Sequence, residues 1–261
     1  MPTPTKVESP LGTDANVSEA NRDWPNSYAS FIVMIFYLES NTRPDISFAV
    51  HQCARFTHNT KESHETAVKS ICRYLQGTKE NGLVFNSSKK LVVDCYSDAY
   101  FAGLWGHENL QDPIFARSRI GFVVTFANCP LLWVSKLQTE ISLPTLHSEY
   151  VALSHSVKAL RPLNSLIKEV IDNLGIDIEK LKFVSSSTIY EDNNGAIVVA
   201  TSTRTTPTSK YIAFKYHWFR QHVGKEFVIW KIESENQKAD IFIKRLQGQI
   251  FLRIRKLLCG W

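Results

Sequence analysis

The apolar pattern changes character near residue 90. Before that point it has helical spacing. "SYASFIVMIFYLES" (27–40) is apolar on every side, which predicts a buried helix. Pro44 breaks the chain, and Asp45 can cap the next helix. "ISFAVHQCARFTH" then places Ile46, Ala49, Val50, Cys53 and Ala54 on one helical face. "SHETAVKSICRYLQGT" repeats the pattern, with Ser63 as N-cap, Glu65 in the first turn and Gly77 past the end. Residues 1–25, rich in Pro, Thr, Ser and Asn, predict an irregular arm.

After residue 90, short runs with the alternation and β-branched content of strands take over. "LVVDCYSDAY", "GFVVTFAN" and "LLWVSKLQ" predict three strands, the last two separated by Asn128 and Pro130. A helix over 147–160 comes next, then a second helical stretch, "RPLNSLIKEVIDNLG", ended by Gly175. "STIYED" predicts a fourth strand, "NNGAIVVAT" a helix, "SKYIAFKYHWFRQHV" a further helix and "EFVIWKI" a fifth strand. The remainder, "NQKADIFIKRLQGQIFLRIRKLLCGW", is mainly helical in pattern, with Asn236 as N-cap. The expectation is an α/β fold: a mixed five-stranded sheet flanked by helices and preceded by a small helical segment. The expected divisions are an arm over 1–25, a helical segment over 26–88 and an α/β domain over 89–261.

Composition narrows the class. A hydrophobic share of 44% and a charged share of 21% fit a soluble globular chain. The net charge of +5 permits a polyanionic partner without requiring one. Five scattered cysteines, with no Cys-x-x-Cys pair, argue against a disulfide framework and a thiolate zinc site, and favour a reducing, intracellular setting. The first sixteen residues lack the apolar core of a signal peptide, and no apolar run approaches the ~20 residues of a membrane span.

Candidate chemistry lies in carboxylates at element ends. Asp98 ends the first strand, Glu149 lies early in the helix after the third, Asp192 ends the fourth strand, and Asp240 opens the last helical stretch. Strand ends facing a crevice are where α/β proteins place their sites. Carboxylates suit Mg²⁺, and three or four of them can hold two ions for phosphoryl displacement. Taken singly, each is more often a cap or a first-turn charge. Asp94 shares a strand face with Asp98 but lies about 13 Å away, so only one can join a cluster, and Asp98 is nearer the strand end. Glu191 and Asp192 are adjacent in an extended segment and point to opposite faces, so again only one can join, and the pattern leaves open which.

Several longer motifs carry a family resemblance. "SNTRPDISFAVHQCARFTHNTKESHETAVKSICRYLQGTKENGLVF" resembles the end of the reverse transcriptase region of copia-type (Pseudoviridae-like) retrotransposon polyproteins. "CYSDAYFAGLWG", "SRIGFVVTFANCPLLWVSKLQTEISLPTLHSEYVALS", "YEDNNGAIVVAT", "SKYIAFKYHWFRQHV" and "NQKADIFIKRL" resemble, in order, the ribonuclease H domain of the same polyproteins. The resemblance spans roughly residues 25 to 261. It implies a ribonuclease H-like fold. It also implies two Mg²⁺, or Mn²⁺, held by Asp98, Glu149, Asp192 and Asp240, and hydrolysis of the RNA strand of an RNA–DNA hybrid.

Asp98 falls on the aspartate of the family's "SDAD" motif, Glu149 on the second glutamate of "EAEY", Asp192 on the "DN" aspartate and Asp240 on the "AD" before "TKPL". The resemblance thus selects Asp192, leaving Glu191 facing solvent. Tyr100, Pro144, His147, Tyr211, Ile243 and Arg245 depart from the family's usual residues. Lys136, Gln138, Lys210 and Arg220 are candidate phosphate or sugar contacts. His147 reads as a surface residue at a helix start, and Trp133, Trp218 and Trp230 as core. The family's Tyr-x-Asp-Asp polymerase motif is absent, so DNA synthesis is not expected. Expected partners are the hybrid and an upstream reverse transcriptase domain. The expected location is intracellular, in a cytoplasmic virus-like particle or the nucleus. The alternative is a catalytically dead retroelement fragment that at most binds nucleic acid.

Overall fold

The strand over Val92–Tyr100 (β1) alternates. Val93, Cys95 and Ala99 face one side and are buried, whereas Tyr96 and Asp98 face the other. In the computed structural model, residues 27–86, 91–103, 113–175, 184–202, 210 and 212–261 are described. The arm expected over 1–25, and Tyr211, lie outside them. β1 pairs antiparallel with β2 (Arg119–Phe126), which pairs antiparallel with β3 (Cys129–Leu137). The turn between β2 and β3 is made by Ala127 and Asn128 at positive φ, a conformation asparagine tolerates readily. On its other side β1 pairs parallel with β4 (Val184–Glu191), which pairs parallel with β5 (Phe227–Lys231). The sheet order is β3-β2-β1-β4-β5. The result is a mixed five-stranded sheet, flanked by helices and preceded by a helical segment.

Each face of the sheet carries its own core. On one face lies α4 (Thr145–Asn173), through Tyr150, Leu153, Val157 and Leu160, together with α5 (Asn194–Thr201). The sequence predicted two helical stretches here, but α4 is one helix with Pro162 inside it. The proline leaves the Lys158 carbonyl without its donor. The helix continues nonetheless, because Leu160, Leu163, Ile167 and Ile171 keep the i, i+3, i+4 stripe toward the core or its edge. The helix expected over 209–223 is instead two short 3₁₀ turns, Phe214–Tyr216 and Trp218–His222.

The opposite face is covered from both ends of the chain. Helices α1 (Tyr28–Asn41), α2 (Ser47–Ala54) and α3 (Glu62–Gly77) share one apolar cluster with Val123 of β2. The short α6 (Asp240–Ile243) and α7 (Gly248–Cys259) belong to the same cluster. A buried polar network ties these parts together. Arg43 clasps Asp45 bidentately at 2.8 and 2.9 Å, and the Tyr74 hydroxyl donates to Asp45 at 2.6 Å. Arg255 of α7 donates to the Tyr74 oxygen at 3.3 Å. α1, expected to be buried all round, buries Ile32 and Ile35 but leaves Val33, Met34, Tyr37 and Leu38 exposed. Among the described residues no helix is long and apolar enough to cross a membrane.

Candidate metal centre

Three features bring distant carboxylates to one end of β1. Asp98 sits near the end of β1, opposite Gly121 of β2. A side chain at Gly121 would meet Ile243 Cγ2 at 2.5 Å, Phe242 Cβ at 2.8 Å and the Ala239 carbonyl at 3.0 Å. Only glycine lets α6 lie this close to the sheet, and α6 begins at Asp240. Gln237 fixes the approach, donating to the Ser97 carbonyl at 2.9 Å, and Ser135 donates to the Phe242 carbonyl at 2.5 Å. From the other face, α4 presents Glu149 in its second turn. β4 delivers Asp192 just past its last residue, where Asn193 caps α5 by accepting from the Ala196 N–H at 3.1 Å.

Asp98, Glu149 and Asp192 offer carboxylate oxygens that all lie within 4.8 Å of one another. The Ala99 backbone N–H donates to Asp98 Oδ1 and to Glu149 Oε2, both at 2.7 Å, and holds the two acids side by side. Ser234 donates to Asp192 Oδ2 at 2.7 Å. The Asp240 carboxyl is an electrostatic neighbour of Asp98 and forms an ion pair with Lys244 Nζ at 2.5 Å.

Burial pushes Asp98 well above the ordinary carboxylate range, and the neighbouring Glu149 carboxylate and the hydrogen bond with Asp240 push it further. Burial also raises Glu149, as do the Glu191 and Asp192 carboxylates, while the Ala99 N–H works against them. Lys244 is raised despite its burial, because Asp240 and then Asp98 and Asp192 favour its charge. Crowded, desolvated oxygen donors with one nearby ammonium are poorly neutralised by the protein alone. A hard divalent cation has the chemistry that fits this donor set.

No family model matches the chain. It is 31% identical over 232 residues to the retrovirus-related Pol polyprotein from transposon TNT 1-94 of Nicotiana tabacum, a match covering 88% of this chain and 16% of that protein. It is 30% identical over 228 residues to the Pol polyprotein from transposon RE1 of Arabidopsis thaliana, covering 87% of this chain and 14% of that protein. The chain is similar to a segment of the retrovirus-related Pol polyproteins of transposons. It spans about one sixth of the length of these Pol relatives. Among solved structures, LC11-RNase H1 is similar at 19% identity and a TM-score of 0.39, over 58% of this chain and 92% of that one.

Of the four candidate carboxylates, Asp98, Glu149 and Asp192 come together, and Asp240 neighbours Asp98. Glu191, expected to face solvent, is 0% exposed. Its Oε1 accepts from the Asn193 N–H at 3.1 Å, and its Oε2 has no partner. Burial, and after it the Asp98 charge, raises its pKa well above the usual range. Side-chain alternation does separate Glu191 from Asp192. However, β4 is a central strand, so the opposite side is the α4 layer and not water.

His147, expected at the surface, is buried with neither ring nitrogen bonded. Of the candidate nucleic-acid contacts, Lys136 and Lys210 are exposed. Gln138 is buried, donating to the Ser148 carbonyl and accepting from Ser142, so its amide braces the loop before α4 and does not face a ligand. Arg220 donates to the Ser202 carbonyl. Trp133 and Trp218 pack against the two cores, but Trp230, also expected in a core, is 60% exposed on the edge strand β5.

Proposed function

We propose that the chain is a ribonuclease H-type endonuclease, the segment of a retrotransposon Pol polyprotein that hydrolyses the RNA strand of RNA–DNA hybrids. The observation that carries this reading is the convergence of Asp98, Glu149 and Asp192 within 4.8 Å, with Asp240 adjoining. These four residues would hold two Mg²⁺, or Mn²⁺, ions. Such ions supply phosphoryl charge neutralisation and a water of lowered pKa. The protein's own part is positional. The Ala99 N–H locks Asp98 to Glu149, Ser234 orients Asp192, and Gly121 and Gln237 seat Asp240.

The hybrid would be recognised by backbone shape and 2′-hydroxyls more than by sequence. On this reading residues 89–261 form the nuclease part and 26–88 connect it to an upstream reverse transcriptase. The setting is intracellular, in a cytoplasmic particle or the nucleus. A second reading, a non-cleaving nucleic-acid binder, is favoured by one observation: the Lys244 ammonium already neutralises part of the cluster.

The test is cleavage of an RNA-labelled hybrid by the folded chain in Mg²⁺ or Mn²⁺. Cleavage that Asp98→Asn abolishes is expected. Binding without cleavage at every concentration of either ion would select the second reading.

A further inference from the structure

Away from the carboxylates, on the α4 face of the sheet edge, basic side chains gather around one imidazole. Lys136 of β3 donates from Nζ to His155 Nδ1 at 3.3 Å. An ammonium can only donate, so His155 is the tautomer that carries its proton on Nε2. Lys158 lies three residues further along α4, on the same side of the helix. Lys215 sits over the Tyr216 ring at 4.9 Å, and that ring packs beside His155 with centroids 6.2 Å apart. Burial and then the charges of Lys136, Lys158 and Lys215 push His155 down to about 4, which keeps the imidazole neutral. Glu140 forms an ion pair with Lys215. Among the described residues no carboxylate pairs with Lys136 or Lys158. Lys136 and Lys158 therefore present ammonium donors beside the imidazole, and the repulsion between these two goes uncompensated.

We propose that Lys136, Lys158 and His155, with Lys215 beside them, form a subsite for a backbone phosphodiester of a bound nucleic-acid strand. This inference rests on the reading of the chain as a nucleic-acid-processing protein. Phosphate oxygens are pure acceptors and match the donors of Lys136, Lys158 and His155. The distance from the carboxylates fits one continuous strand. Ala99, Ile120 and Lys136 lie in one register row across β1, β2 and β3, which puts Lys136 about 10 Å from the residue after Asp98. Along α4, His155 and Lys158 lie beyond Glu149 by about 9 and about 14 Å at 1.5 Å per residue. A separation of roughly 10–14 Å is that of phosphates a few nucleotides apart on one strand, so the subsite would take a phosphate near one held at the carboxylates.

The test measures the salt dependence of hybrid binding by fluorescence anisotropy, with the full chain in EDTA so that no cleavage intervenes. Each phosphate contact contributes about 0.9 to the slope of log K against log salt, so Lys136→Gln with Lys158→Gln should flatten the slope by about 1.8. The same arithmetic gives a roughly eightfold loss per contact at 0.1 M relative to 1 M salt. The exposed pair Lys79→Gln with Lys225→Gln should leave the slope unchanged. An unchanged slope in the first pair overturns the subsite, even where the wild type cleaves the hybrid in Mg²⁺. A flattened slope in a chain that never cleaves retains the subsite and removes the nuclease reading. A wild type that fails to bind the hybrid overturns both. If a polyglutamate peptide depends on Lys136 and Lys158 while the hybrid does not, the site takes carboxylates and the proposal fails.

Discussion

Replacing Asp98 with asparagine should make the metal-free protein more stable, and the gain should grow with pH. Asp98 is buried and shares a 4.8 Å cluster with Glu149 and Asp192. At an effective dielectric of about 20, two unit charges at that separation repel by roughly 3.5 kcal/mol. Proton uptake limits the cost, because a carboxyl can always be protonated instead. Relative to an unfolded pKa of ~3.9, that ceiling is roughly 5.6 kcal/mol at pH 8 and roughly 1.5 kcal/mol at pH 5.

The sign comes from the raised folded-state pKa. The stability associated with Asp98 is fully present below the unfolded pKa and is lost as pH rises toward the folded one. Asp98→Asn removes this loss while an amide oxygen can still accept from the Ala99 N–H. At about 2–4 °C per kcal/mol for a chain of this size, a gain of ~3.5 kcal/mol raises Tm by about 7–14 °C at pH 8 in EDTA. Lys244 beside Asp240 already offsets part of the repulsion, so the lower end of that range is expected. At pH 5 the gain should shrink to about 3–6 °C or less. Adding Mg²⁺ at ten times its Kd should stabilise the wild type by about 1.4 kcal/mol and leave Asp98→Asn unmoved. The assay is a set of thermal melts by circular dichroism at three pH values, with and without Mg²⁺. An Asp98→Asn protein no more stable than wild type at pH 8, or a gap that widens toward pH 5, would refute the argument.

Gly121→Ala should destabilise by about 1–3 kcal/mol, because its Cβ would collide with Ile243 and Phe242. It should also cut the Mg²⁺-induced Tm increment, since the displaced α6 carries Asp240; an unchanged increment with lowered Tm would uncouple Asp240 from the centre. Lys244→Met should lower metal-free stability at pH 7, and the difference from wild type should fade as pH rises through the raised folded-state pKa of Lys244. The same variant should bind Mg²⁺ about tenfold more tightly by calorimetry, because the competing cation is gone.

The sheet and its order of elements were legible because each strand carries a run of β-branched and aromatic residues bounded by turn residues. The convergence of Asp98, Glu149 and Asp192, with Asp240 beside Asp98, was not legible from pattern alone. Asp240 reaches the site only because Gly121 opens space for α6, and a lone glycine in a strand signals close approach without naming what approaches. Pro162 misled because local chemistry favours a break, while the stripe from Leu160 to Ile171 holds the helix together. Trp230 misled because the face of β5 it occupies extends beyond the covering helices, where aromatic character no longer implies burial. Tyr190 and Tyr96, one and two strands inward, still stack at 4.8 Å.

The division expected near residue 88 separates two sequence regions but not two cores. Phe242, Leu246, Phe251, Ile254 and Leu258 share their cluster with Tyr28, Ile32, Val50, Val68 and Ile71 from the helical segment. Burying such a side chain fully contributes about 1.5–3 kcal/mol. Uncovering the five from the C-terminal stretch 242–258 would therefore cost up to roughly 7–15 kcal/mol, as much as the whole stability of an ordinary domain. Loss of the helical segment would also strand Arg255, whose partner Tyr74 is held by Asp45 and Arg43. A fragment of residues 91–261 should thus show no cooperative thermal transition and should bind dyes that report exposed apolar surface, whereas the whole chain melts cooperatively. A fragment that melts cooperatively within a few degrees of the whole chain would mean that α6 and α7 seal the sheet by themselves. The helical segment would then be an attachment and not half of the core.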